Sequence, residues 1–368
     1  MTGTKSQHEP LVRISRRDSI MRWKAWLIRI CAIIASLVVC AAVIFALTKM
    51  NPLEVYRGII DGAVGTSKRS WVTIRDTMTL LCISLALAPA FKMRFWNIGA
   101  EGQVLVGGLA TAAVMIYGGS TMPTWLLFTT MICASILAGL IWGLIPAVFK
   151  AIWNTNETLF TLMLNYVATQ LVTFCIVFWE KPKGSNSVGL INMTDKAGWL
   201  PAVWGQTYTF NVIIVIAIAI AMFLYLRYSK HGYEISVVGE SERTALYAGI
   251  NVKAVIMRTM MISGAICGVA GFLLVSGSSH TISTSTAGGR GFTAIVVAWL
   301  SKFNSFVMLL VSFFLVFMQK GAGQIATQFN LNENASDIIT GIILFFILGC
   351  EFFINYKLSF RTRSGKEA

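Results

Sequence analysis

Residues Phe95–Tyr117 read FWNIGAEGQVLVGGLATAAVMIY. From Ile98 onward this stretch is long and apolar enough to cross a bilayer, which takes about 20 mostly apolar residues. Its opening is unusual for such a helix. Asn97, Glu101 and Gln103 place a carboxylate between two amides, interleaved with Gly99 and Gly102. Polar and ionisable groups within a membrane segment are costly, and glycines let a helix break where protein or water surrounds it. The stretch therefore reads as a span that opens on a polar break.

Further apolar stretches lie at about 25–47, 71–90, 124–149, 158–179, 208–227, 256–276, 291–301, 303–319 and 338–356. The fold class expected is all-α: a polytopic helical membrane protein with about ten transmembrane or partly spanning helices. The 291–301 stretch is too short to cross alone and reads as a half-helix or re-entrant piece. Composition agrees. Of 368 residues, 56% are hydrophobic and 12% charged, with a mean hydropathy of +0.70, whereas soluble domains carry about 25% charged residues. An ordinary cytosolic enzyme, a disordered chain and a secreted disulfide scaffold are excluded. The expected organisation is a cytoplasmic segment at 1–24, one membrane domain at 25–356 and a cytoplasmic tail at 357–368. The 25–47 stretch reads as a retained anchor, not a cleaved signal.

The formal net charge is +14. In a membrane protein that excess marks cytoplasmic loops rather than nucleic-acid binding. With ten crossings, most of the Lys and Arg excess falls on the side of both termini, which places them in the cytoplasm. The seven cysteines all sit in apolar stretches and form no CxxC pair, so they read as small buried hydrophobes. His8, His231 and His280 lie far apart, and no metal site is expected. No Gly-x-x-x-x-Gly-Lys-Ser/Thr segment is present, so this chain has no Walker cradle for ATP phosphates. Neither a cofactor nor catalysis is expected of it.

Four stretches carry candidate chemistry. In the first, Asn97, Glu101 and Gln103 either meet a solute or satisfy the broken backbone. In the second, Glu157, Thr161 and Asn165 are spaced by four and share one helix face. That polar stripe fits a substrate path or interhelical glue, with Thr158 as the helix opener and glue favoured. The third is Ile235–Val252. There Ser241–Tyr247 fits a short amphipathic helix ended by Gly249, either a docking element or an ordinary solvated loop. The fourth runs from Ser278 to Ile295, a flexible Gly/Ser/Thr-rich segment leading to Phe292 and Thr293. It suits a sugar or nucleobase, or is a plain loop. The other aromatic residues read mostly as interface belts and packing.

At these places the chain resembles the membrane permeases of ATP-binding-cassette importers in the branched-chain amino acid, ribose and nucleoside group, most of all the nucleoside permeases linked to basic membrane proteins. The carrying residues are Trp96–Gln103, Asn156–Glu157 with Thr161–Tyr166, Val238–Glu240 with Tyr247–Val252, and Gly289–Ile295. The resemblance spans about residues 25–356. It implies a nucleoside as substrate and, as partners, a separate ATPase subunit that uses the ATP, a second permease chain and an extracytoplasmic substrate-binding lipoprotein, with membrane lipid around them. It implies a coupling helix docking on the ATPase, with Gly239, Glu240, Ala245, Tyr247, Ala248, Gly249 and Ile250 as docking residues. The substrate path would hold Asn97, Glu101, Gln103, Glu157, Thr161, Asn165, Phe292 and Thr293. Two places depart from the group's pattern: Ser241–Thr244 before Tyr247, and Trp299–Lys302 after the Gly-Phe-Thr-Ala-Ile run. An ion-coupled secondary transporter would instead use intramembrane carboxylates, with Glu101 and Glu351 as candidates. A permease for ribose-like sugars and a nonenzymatic scaffold or receptor are further alternatives.

Overall fold

The computed structural model describes residues 12–16, 21–48, 51–328 and 356–360, with scattered positions between 338 and 354. The chain runs β1 (Val12–Arg16), α1 (Arg22–Thr48), α2 (Pro52–Val64), α3 (Ser67–Lys92), α4 (Ala100–Gly118), α5 (Thr124–Trp153), α6 (Glu157–Trp179) and α7 (Thr209–Tyr228). It continues through α8 (Lys230–Glu240), α9 (Glu242–Tyr247), α10 (Val252–Leu274), a π turn (Val275–Ser279), α11 (Arg290–Leu300), α12 (Ser305–Gln328) and β2 (Tyr356–Phe360). Among the described residues, seven helices are long and apolar enough to cross a membrane: α3, α4, α5, α6, α7, α10 with its π turn, and α12. Two shorter apolar helices occupy 30–43 and Arg290–Leu300. The chain is thus an all-α, multi-pass membrane protein. Eight of the nineteen residues of the expected span at 338–356, Glu351 among them, and most of the segments 1–24 and 357–368 lie outside the described residues.

Contacts divide the chain into two units. In Met1–Gly65 with Phe317–Ala368, β1 and β2 pair antiparallel, Val12 opposite Phe360. The Tyr56 hydroxyl donates to the Leu37 carbonyl, tying α2 to α1. Gly321 packs on Ile59. The segment 48–70, between the first two expected spans, holds α2. Its charged Glu54, Arg57 and Asp61 are spaced at helical intervals and leave Val55, Ile59 and Ala63 buried, so the polar residues mark one helix face. Similarly, α12 runs to Gln328 and not to 319, because the polar run from Gln319 continues the helix.

In Thr66–Val316, α3 is the central helix. Of its apolar window, 89% is buried, against 22% for α7 and 28% for α6. The last two therefore turn much of their surface toward lipid. Helix α10 packs on α4 and α5 through glycines. A Cβ on Gly268 would run into the Ser135 carbonyl of α5, and the Gly268 Cα lies where Cβ atoms on Gly107 and Gly139 would sit. Small residues permit this approach, and van der Waals packing then holds helices that lipid gives no hydrophobic reason to associate. Four of the seven cysteines, Cys40, Cys82, Cys267 and Cys350, are buried as expected, but Cys31 and Cys133 are exposed. In a bilayer, an apolar thiol can face lipid as readily as core.

The 180–208 connection folds back on the π turn. Ser276 Oγ donates to the Gly198 carbonyl at 2.5 Å, and the Leu200 and Ile191 amides donate to the Ser276 and His280 carbonyls. The Trp199 indole stacks on the His280 ring, centroids 3.8 Å apart. The π turn and His280 are therefore bound along their length, although the segment from Ser278 onward was expected to be flexible. Burial pushes the His280 imidazole below the usual histidine range. The Glu180 carboxylate accepts from the Asn186 amide at 2.9 Å, and backbone donors from Gly184 and Asn186 hold its pKa down.

Two outcomes follow. Gly268→Val should cost about 1–3 kcal/mol by overpacking, or more because backbone is struck, read as a lower midpoint of thermal unfolding in detergent; an unchanged midpoint would refute the packing account. The 180–208 segment should loosen on acidification. Neutral His280 stabilises the fold above the ordinary histidine pKa, about 6.5, and that stability falls away as pH drops below it. Ionised Glu180 stabilises above the ordinary carboxylate range and loses its contribution as pH falls through its lowered pKa. Amide-exchange protection at Leu200 and Asn186 against pH reads both steps, and Glu180→Gln should remove the lower one.

Candidate functional site

The site begins where α3 ends. Pro89 and the Met93–Gly99 segment interrupt the helix, and α4 starts only at Ala100. The Gly239 Cα of α8 packs so closely on the Lys92 carbonyl that a Cβ there would overlap it. The chain then folds back between helices.

A break inside a membrane protein leaves backbone groups that must find partners. Here side chains supply them. Asn97 Oδ1 accepts from the Gly99 amide at 3.0 Å, and its Nδ2 donates to Ser263 Oγ at 3.2 Å and Gln103 Oε1 at 3.4 Å. From α6, Thr161 Oγ1 accepts from the Ile98 amide at 3.2 Å. Asn165 Nδ2 donates to the Ile98 carbonyl at 2.9 Å, and its Oδ1 accepts from the Gly102 amide at 2.8 Å. Asn97, Gln103, Thr161 and Asn165 are all buried. Glu157, on the same α6 face, forms an ion pair with Lys150 at 3.0 Å. The N-cap of α6 is Asn156, accepting from the Leu159 amide, and not Thr158. An Asn side chain reaches the third amide from the extended position just outside the helix, whereas Thr158 already lies inside the first turn.

Glu101 faces the other way. Its Oε1 accepts from the Gly289 amide and its Oε2 from the Gly291 amide, each at 2.7 Å. These amides open α11, an 11-residue half-helix, so a carboxylate sits against the positive end of its dipole. Gly291 is required by the approach: a Cβ there would strike the Glu101 backbone. Arg290, a cation at a helix start, is offset by Asp76 of α3, 3.7 Å away, which also pairs with Arg75 at 2.8 Å. Thr293 Oγ1 donates to the Gly289 carbonyl at 3.3 Å.

The half-helix has two faces. Gly291, Ala294, Val297 and Ala298 are buried, whereas Phe292 and Trp299, seven residues apart, are 45% and 44% exposed. Trp96, from the break, is 45% exposed and stacks on Trp299 with centroids 5.5 Å apart and planes 26° from parallel. Phe91 meets both edge-on. The result is an open aromatic strip. Phe292 is among the sequence candidates, whereas Trp96 enters the sequence reading only as part of the Trp96–Gln103 motif and Trp299 only as part of a departure from the group's pattern. The seven-residue spacing of Phe292 and Trp299 is the signal that could have singled out Trp299.

At the α8/α9 end, Ser241 caps α9 by accepting from the Thr244 amide, and Gly249 closes it at φ +74°. Ala245 is buried and Gly239 is buried, while Tyr247 is 94% exposed and Leu246 63%. Glu240, Ala248 and Gly249 are exposed and Ile250 is half-buried. Beneath them lies one cluster joining Ala90, Met93 and Phe95 of the break to Ile235, Val238, Ala245, Val255 and Met260. The structure thus sorts the candidates into a buried polar knot, a half-helix with an aromatic face, and an exposed short helix.

Replacing Glu101 with Gln leaves one acceptor and points an N–H at another N–H. A hydrogen bond to a charged group is worth about 1.5–3 kcal/mol. Glu101→Gln should therefore speed amide exchange at Gly289 and Gly291 and lower thermal stability by about that amount. Unchanged exchange at both amides would refute the assignment.

Comparison with known proteins places these elements. The chain is 28% identical to the guanosine ABC transporter permease protein of Bacillus subtilis over 89% of this chain and 94% of that one. It is 25% identical to the glucose ABC transporter permease protein of Haloferax volcanii, over 97% and 96%. It is 24% identical to a nucleoside ABC transporter permease protein of Lactococcus lactis, over 83% and 86%. The family model for the permease component of branched-chain amino acid transport systems matches residues 72–348, from the second turn of α3 past the end of α12, and the chain belongs to that family of membrane permeases.

Proposed function

We propose that this chain is the nucleoside-translocating permease subunit of an ATP-binding-cassette importer. The aromatic strip of Trp96, Phe292 and Trp299 carries the substrate class. Three exposed rings on a half-helix and its neighbouring break present flat apolar faces to a path, and a nucleobase stacks on such faces at about 1–3 kcal/mol per base. Thr293 and the polar backbone around Glu101 offer hydrogen bonds to a ribose. The relatives named for guanosine and nucleosides agree with this choice.

Energy comes from outside the chain. A separate ATPase subunit docks on α9, with Tyr247 and Leu246 as the projecting contacts and Ala245 and Gly239 as the packed base. Both termini and α9 lie on the cytoplasmic side. A second permease chain completes the path, and an extracytoplasmic lipoprotein delivers the solute. Closure of the ATPase pair displaces α9, and the cluster beneath it passes that displacement to the 93–99 break. The Haloferax relative keeps a sugar in view as a second reading, since a sugar ring also stacks on aromatic faces.

The test is uptake in proteoliposomes holding the whole importer. Trp299→Ala should raise KM for guanosine about 5- to 150-fold, the range that stacking supports, while ATP hydrolysis continues. Tyr247→Ala should lower coupled uptake with KM unchanged. Competition by excess glucose, and none by guanosine, would replace the nucleoside with a sugar. Uptake that persists without ATP and collapses with an ionophore would overturn the importer.

A further inference from the structure

Three spanning helices end around one small cavity. Lys92 closes α3, Arg227 lies in the last turn of α7, and Ser305 opens α12. These residues line a cavity of about 270 Å³ together with Lys302, Phe223 and Phe303. Among its described lining residues three are cations and none is acidic. Its volume falls just below the roughly 300–1,000 Å³ of pockets that enclose whole small molecules. The turn that brings Lys302 and Phe303 to it holds two successive non-glycine residues at positive φ, 49° and 61°. Such backbone costs free energy and persists only where the surroundings impose it.

The neighbourhood is that of a lipid. Phe223 meets Phe306 edge-on at 5.4 Å. Beyond them, Leu224, Phe306 and Leu310 are 49%, 67% and 67% exposed. Arg227 lies over the Phe223 ring at 5.8 Å, its charge at the helix end and its stem along apolar surface. The 24-residue α12 starts at the cavity and turns the positive end of its dipole there. Cations therefore lie at helix-end depth, with an apolar face running from them along α7 and α12. Basic pockets between spanning helices take the heads of anionic lipids.

We propose that Lys92, Arg227 and Lys302 form a binding site for the phosphate head of an anionic phospholipid, its acyl chains lying on Leu224, Phe306 and Leu310. The cations neutralise the phosphate, and α12's first turn adds its dipole. The site is independent of which solute the permease carries. It also differs from the α9 surface, since it uses the ends of α3, α7 and α12.

The experiment is native mass spectrometry of the full chain from nanodiscs of phosphatidylcholine containing a tenth phosphatidylglycerol. The wild type should retain phosphatidylglycerol after detergent release. Arg227→Gln and Lys302→Gln should each weaken retention about five-fold, and the triple variant with Lys92→Gln roughly a hundred-fold, from about 1 kcal/mol per cation near the surface. Arg227→Lys should keep most of it, which separates lost charge from misfolding. Leu310→Gln, which leaves the cations intact, should also weaken retention. Millimolar inorganic phosphate should compete poorly. Equal retention by wild type and triple variant at equal thermal stability overturns the site. So does complete displacement by phosphate with Leu310→Gln silent, which would make it a free-phosphate site. Loss of a co-purifying ATPase from the variants, with lipid retained, would make the cations protein contacts and overturn it equally.

Discussion

The bond pair from Gly289 and Gly291 to Glu101 is the constraint on which this architecture turns. Two helices are broken in this protein, before α4 and before α11, and each break would leave backbone donors unpaired away from water. One carboxylate at the first turn of α4 fills the first turn of α11. The two discontinuities thus resolve each other. The remaining groups of the α4 break are taken by Thr161 and Asn165 from α6. Four elements, α4, α6, α10 and α11, are consequently held through one polar knot.

Around that knot the packing is close and featureless by design of composition. Gly107, Gly139, Gly264 and Gly268 bring α4, α5 and α10 to backbone contact, and lipid-facing surface is left to α6 and α7. A rigid interior with one aromatic strip and one exposed short helix suits transmission of force better than storage of flexibility. The polar side chains of the knot have most of their hydrogen-bonding capacity spent on backbone, so selectivity for a solute falls to the exposed rings and to groups that retain capacity, such as Thr293.

Much of this was legible in the sequence, and the misses have common causes. Long apolar runs announced the spans, and an 11-residue run announced the half-helix, because length alone decides whether a helix crosses. The polar face of α6 was legible from the spacing of Glu157, Thr161 and Asn165. Its partner was not, because Ile98 lies more than sixty residues away and no local signal marks a broken backbone needing a donor. Helix α2 escapes a hydropathy reading because three charges in thirteen residues outweigh the buried Val55, Ile59 and Ala63. The pairing of β1 with β2 joins opposite ends of the chain, which no periodicity records. Trp96 and Trp299 illustrate the same limit. Each alone resembles an interface anchor, and only their stacking makes them a surface.

The geometry also bears on how force would travel. Ala245, the buried residue of α9, shares its cluster with Met93 and Phe95, and Gly239 leaves no gap to the Lys92 carbonyl. Packed contacts therefore run without interruption from α9 to the end of α3. The next residue along is Trp96, which stacks on Trp299 at the far end of α11, while the near end of α11 is held by Glu101. The half-helix is therefore gripped at both ends by the two sides of a single break. A change in the angle between α3 and α4 would have to swing it, and with it the face that carries Phe292. On the proposed function, the break would be the hinge and α11 the element it moves, so that docking at α9 and the shape of the aromatic strip would be linked.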